Sequence, residues 1–134
     1  AYNALRPGGG LFFDVSTPYK LKNALGNQII CDDTENITYL WQNRFSEKTQ
    51  QVDMHLCIFV KQDNRLYKRI DEEQKQQAHT AQHLMELMAR AGFDRTMVFA
   101  NGRMEPPRDN EQRWYFAAVR RMDPAGTEEE GRKA

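Results

Sequence analysis

The sequence predicts an α/β fold, a small mixed sheet with two or three helices interrupted by an antiparallel insert. Three observations carry this. Leu5-Arg6-Pro7-Gly8-Gly9-Gly10 passes straight into apolar Leu11-Phe12-Phe13 and ends at Asp14-Val15. A helix tail closed by Pro and Gly, a short buried strand and then a carboxylate is how an α/β unit delivers a residue to the ligand edge of a sheet. The middle of the chain alternates apolar and polar residues with period two, and the C-terminal third returns to a helix followed by two apolar strands.

Taken in order, Ala1-Tyr2-Asn3-Ala4-Leu5 reads as the end of a helix, with no initiator Met, so a truncated or processed piece is expected. Leu11 to Val15 is the first strand. A short helix follows, with Thr17 as N-cap, Pro18 at the first helical position, and Gly26 or Asn27 as its close. From Ile37 to about Gln77 the period is two. Ile37, Tyr39, Trp41 and Phe45 alternate with Thr38, Gln42 and Arg44. Val52, Met54, Leu56, Ile58 and Val60 alternate with Gln51, Asp53, His55 and Lys61.

Leu66 and Ile70 begin a third run that is entirely polar after Asp71, a solvated strand end or extended edge. Turns fall at Ser46–Thr49 and Gln62–Arg65, giving a three-stranded antiparallel meander with one buried and one wet face. Thr80 then caps a helix with Leu84, Leu87, Met88 and Ala91 at helical spacing, closed by Gly92. Thr96–Phe99 and Trp114–Val119 are two further strands, and from Asp123 to Ala134 a Gly-, Glu- and Lys-rich tail is expected to be disordered.

With 134 residues there is room for one core domain, and 19 Lys plus Arg against 19 Asp plus Glu argues against a nucleic-acid footprint. No apolar run of ~18 residues would span a membrane, and no secretion signal opens the chain. Cys31 and Cys57 lack metal-type spacing and read as reduced thiols of a cytoplasmic protein. His79 and His83 lie four apart at the start of a helix, but no third ligand is near, so no metal is expected.

The wording of these segments resembles the class I S-adenosylmethionine-dependent methyltransferases, in which an "LxPGGxLxFD" run forms the fifth strand. Here the order is LRPGGGLFFDVSTPYK, an antiparallel insert containing YLWQNRF, then AGF, then EPPRDNEQRWYFAAVRR. The likeness covers Leu5 to Arg121. It implies a Rossmann-like sheet of strands five, seven and six, with the last strand antiparallel between the other two. On that basis residues 1–122 are the C-terminal portion of a methyltransferase domain, and 37–77 are an insert forming a lid over the active site.

The resemblance implies S-adenosylmethionine as cofactor, held by a glycine-rich turn that this chain begins too late to contain. The fragment alone is then expected to be inactive and not to bind the cofactor. A small molecule is the expected methyl acceptor, and a homo-oligomer is expected through the open fifth-strand edge or the insert. The rival from another class is a non-catalytic binding or dimerisation module built on the antiparallel sheet.

Methyl transfer from a sulfonium needs alignment more than a marked catalytic residue, and none stands out. Candidate substrate contacts are Asp14, Ser16 and Tyr19 at the strand's carboxyl end, Trp41, Arg44 and His55 on the insert, and Arg113 after the Pro-containing loop. Each has a plainer reading. Asp14 could anchor a loop, Tyr39 and Trp41 could be the buried face of the meander, and His55 and Arg113 could be exposed surface residues.

Overall fold

The computed structural model describes residues 1–100 and 102–122; the tail from Asp123 lies outside the described residues. The chain forms strands β1 (Gly10–Ser16), β2 (Ile29–Asp33), β3 (Ile37–Ser46), β4 (Gln51–Lys61), β5 (Tyr67–Gln77), β6 (Phe93–Phe99) and β7 (Arg113–Arg120), with one regular helix, α1 (Ala81–Arg90). They make two sheets, a three-stranded sheet in the order β1-β7-β6 and a four-stranded one in the order β2-β3-β4-β5. In the first, β7 runs antiparallel to both neighbours, so β1 and β6 are parallel to each other. That is the expected five-seven-six arrangement.

The meander is present as β3-β4-β5, and a fourth strand, β2, adds to its outer side by pairing with β3. Sequence periodicity misses β2 because Ile29-Ile30-Cys31-Asp32-Asp33 does not alternate and only Ile30 is half-buried. β5 pairs with β4 over all eleven residues although every one of its side chains is exposed. Its backbone hydrogen bonds, not a buried face, hold it extended.

Each sheet has its own core. Leu21, Leu25, Phe45, Val52 and Met54 form one, with Ile30, Trp41 and Ala78 packed against it. Leu21 and Leu25 come from the helix after β1, which is wound as a π-helix over Lys20–Leu25. Thr17 caps it as expected, its hydroxyl accepting from the Lys20 amide at 3.0 Å and donating to the Glu111 carbonyl at 2.5 Å. Gly26 closes the helix because a Cβ there would lie 2.4 Å from the Lys22 carbonyl oxygen and 2.9 Å from Phe45 Cβ.

The second core joins Met88 of α1 to Phe93, Phe116 and Ala118, with Leu11, Phe13 and Val15 of β1 against it. Phe13 and Phe116 are register partners whose rings stack 5.0 Å apart at 8°. The Thr80 hydroxyl accepts from the His83 amide at 3.2 Å and starts α1. Met85, rather than Leu87, joins Leu84 and Met88 on its packed face. Arg120 Nη1 donates to the Leu5 carbonyl at 2.7 Å while its guanidinium lies 4.8 Å from the Tyr2 ring, tying the N-terminal segment to β7. The opposite face of this sheet is open, with Phe12 78% exposed and Met97 and Val119 also exposed.

Candidate active site

The carboxyl end of β1 meets the end of β5 at a cavity of about 380 Å³ lined by Asp14, Val15, Ser16, Leu21, Gln76, Gln77, His79 and Arg113. Alternation along β1 places Asp14 and Ser16 on the face away from α1. Arg113 opens β7 opposite Ser16, and its guanidinium forms an ion pair with Asp14 across the two strands. Both side chains are more than a third exposed, so the pair fixes orientation more than it adds stability. Gln77 Nε2 donates to the carbonyls of Thr49, Gln50 and Ala78 at 3.0–3.3 Å, which pins the end of β5 against the β3–β4 turn. Gln76 and His79 make no side-chain hydrogen bond among the described residues. The His79 ring stacks on that of His83, centroids 5.6 Å apart.

Of the sequence candidates, Asp14, Ser16 and Arg113 therefore share one cavity. Arg44 and His55 line a different one, a groove of about 760 Å³ on the four-stranded sheet with Asp53, Glu73 and Lys75. Here His55 Nε2 lies 3.1 Å from Asp71, whose carboxylate also takes a two-point contact from Arg69 at 2.7 and 2.8 Å. The Arg69 hydrogen bonds hold the Asp71 pKa down at about 2. Desolvation, then the Asp71 carboxylate, push the Cys57 thiol up, which keeps it protonated and unreactive. Trp41 packs against the core under the sheet, and Tyr19 is on the surface outside both cavities. Gln76, Gln77 and His79 were not candidates from the sequence. They reach the cavity only because β5 runs on through seven polar residues, and no local pattern signals that.

No family model matches the chain. Among curated proteins, it is 28% identical over 117 residues to a "Putative methyltransferase" of Geobacillus sp. (strain WCH70). It is 26% identical over 117 residues to "Putative methyltransferase YqeM" of Bacillus subtilis (strain 168). Each match covers 87% of this chain and 47% of the relative. Among solved structures, an S-adenosylmethionine-dependent methyltransferase from Clostridium acetobutylicum superposes with a TM-score of 0.79 at 25% identity, over 90% of this chain and 48% of that one. In sequence and fold the chain resembles the class I S-adenosylmethionine-dependent methyltransferases. It spans about half the length of the curated relatives it matches.

Two more distant methyltransferases share the fold. CcbJ from Streptomyces caelestis has a TM-score of 0.68 at 14% identity and covers 92% of this chain and 47% of its own. CalS10 from Micromonospora echinaspora, solved with S-adenosylmethionine bound, has 0.63 at 14%, covering 89% and 47%.

S-adenosylmethionine is the cofactor of this family. The described residues do not fit its holding site. The positive-φ glycines Gly8, Gly92 and Gly102 lie before β1, after α1 and after β6, and none of them opens a helix behind a strand that ends in a carboxylate. Among the described residues no group of three metal-ligating side chains occurs, and no helix is long and apolar enough to cross a membrane.

Proposed function

We propose that this chain supplies the acceptor-binding half of a methyltransferase acting on a small molecule, with the cavity at the end of β1 as the acceptor site and the four-stranded sheet as its lid. The observation that carries this is the meeting of Asp14, Ser16 and Arg113 from the small sheet with Gln76, Gln77 and His79 from the end of the insert. A strand's carboxyl end is where open α/β sheets place ligands. The cavity is small and has a few converging polar groups beside the buried Leu21, which suits a compact polar molecule. Free Cys31 and Cys57 suit a reducing, cytoplasmic setting.

The test uses an enzyme joining this chain to a cofactor-binding half. Asp14→Ala should lower acceptor turnover by at least tenfold and leave S-adenosylhomocysteine affinity within about twofold, while Tyr19→Phe, outside the cavity, should change neither. Equal loss of cofactor affinity in Asp14→Ala would place this cavity on the cofactor side and overturn the assignment. A second reading, a binding or dimerisation module, draws support from the outer edge of β1, unpaired among the described residues, and from Phe12 beside it.

A further inference from the structure

We propose that His79 takes the proton from an amine acceptor held in the β1–β5 cavity; this rests on the acceptor-site reading above. The cavity brings together one carboxylate, one guanidinium, one hydroxyl, two carboxamides and one imidazole. Asp14 is committed to Arg113, and Gln77 is committed to three carbonyls. Ser16 and Gln76 have no basic group at neutral pH. His79 alone offers an imidazole nitrogen lone pair, is exposed, and makes no hydrogen bond among the described residues. The groups facing it are Asp14 from β1, Arg113 from β7, His83 from α1, and the uncharged Gln76 and Gln77 from β5.

An imidazole suits an amine acceptor. An ammonium gives up its proton to a neutral imidazole in a simple equilibrium of modest cost, and the nitrogen is then ready to take the methyl group. In the step proposed, an N–H bond of the ammonium breaks and its electron pair stays on nitrogen as the lone pair a methyl acceptor needs. The proton forms a new N–H bond on the His79 ring, giving imidazolium, which returns it to solvent through the exposed ring face.

D-glucosamine is a suitable probe because it carries a basic amine among hydroxyls, and N-acetyl-D-glucosamine is its control because its nitrogen is not basic. In the 134-residue chain with ¹⁵N-labelled histidine, glucosamine should shift the His79 ring resonances saturably and leave those of His55 in place, and the control should not. Unmoved His79 resonances at ~50 mM glucosamine, or an equal response to the control, overturn the proposal. In the enzyme joined to a cofactor-binding half, His79→Gln and His79→Asn should each lower glucosamine turnover ~10²–10⁴-fold. Both should also shift the acid limb of the pH profile toward the pKa of the amine itself, with added imidazole partly restoring turnover to His79→Gly.

Wild-type turnover and an unchanged acid limb in His79→Gln overturn the inference. So does an absence of transfer to glucosamine while S-adenosylhomocysteine still binds, which leaves the acceptor-site reading standing. If the joined enzyme does not bind S-adenosylhomocysteine at all, the function proposed above fails as well.

Discussion

Phe116→Ala should be the most damaging single truncation in the three-stranded sheet, and Phe12→Ala on the neighbouring strand should cost almost nothing. Phe116 is 1% exposed, lies in the central strand β7, stacks on Phe13 at 5.0 Å and belongs to the core that includes Met88. Removing a buried ring of this kind loses its transfer free energy and leaves a cavity, together about 3–5 kcal/mol. Against a total stability of roughly 5–15 kcal/mol for a domain, that is a large fraction. At about 3–5 °C per kcal/mol for a chain of this size, the melting temperature should fall by roughly 10–20 °C.

In the monomer Phe12 is 78% exposed, so its side chain is already in water, and a change within about 0.5 kcal/mol is expected at concentrations too low for copies to associate. Urea unfolding followed by far-UV circular dichroism, with the slope held equal across variants, measures both. A loss below about 1 kcal/mol for Phe116→Ala, or equal losses for the two, would refute the assignment of the core to the α1 side of the sheet.

Three further outcomes are expected. The outer edge of β1, unpaired among the described residues, should recruit a second copy, so light scattering at high micromolar concentration should show a species heavier than 15.7 kDa that Phe12→Lys shifts toward monomer. A strictly monomeric wild type contradicts this. Asp71 titrates at about 2 when folded against 3.8 in its unperturbed state, so its contribution is complete above pH ~4 and fades as pH falls toward 2; melting curves across that range should flatten in Asp71→Asn, and an unaltered slope would count against the Arg69–Asp71 contact. Calorimetric titration of the isolated chain with S-adenosylhomocysteine should show no binding tighter than ~10 μM, equivalent to about 7 kcal/mol, and tighter binding would place the cofactor-holding groups in this chain.

Much of the fold is legible in the sequence because period and burial agree where a strand has one covered face. Val52 and Met54 are buried on β4 and Phe45 is buried opposite them on β3, as their alternation requires. β2 is not legible, because it is held by pairing to β3 rather than by a face of its own. The site divides in the same way. Asp14 and Ser16 follow from the strand end that precedes a capped helix, and their partner Arg113 follows from the start of the last strand. His79 could not be tied to them, since its place depends on the register of an eleven-residue strand whose side chains all face solvent. Tyr19 and Trp41 went to the surface and the core because aromatic character does not distinguish those fates.

The two clusters of buried side chains share no residue, one resting on Leu21 and Val52 and the other on Met88 and Phe116. Free-energy changes from truncations in different clusters should therefore sum, while pairs within one cluster should couple through their common contacts. Val52→Ala with Phe116→Ala is the additive pair and Phe13→Ala with Phe116→Ala the coupled one. A single truncation therefore reports on the packing of one sheet and leaves that of the other untouched.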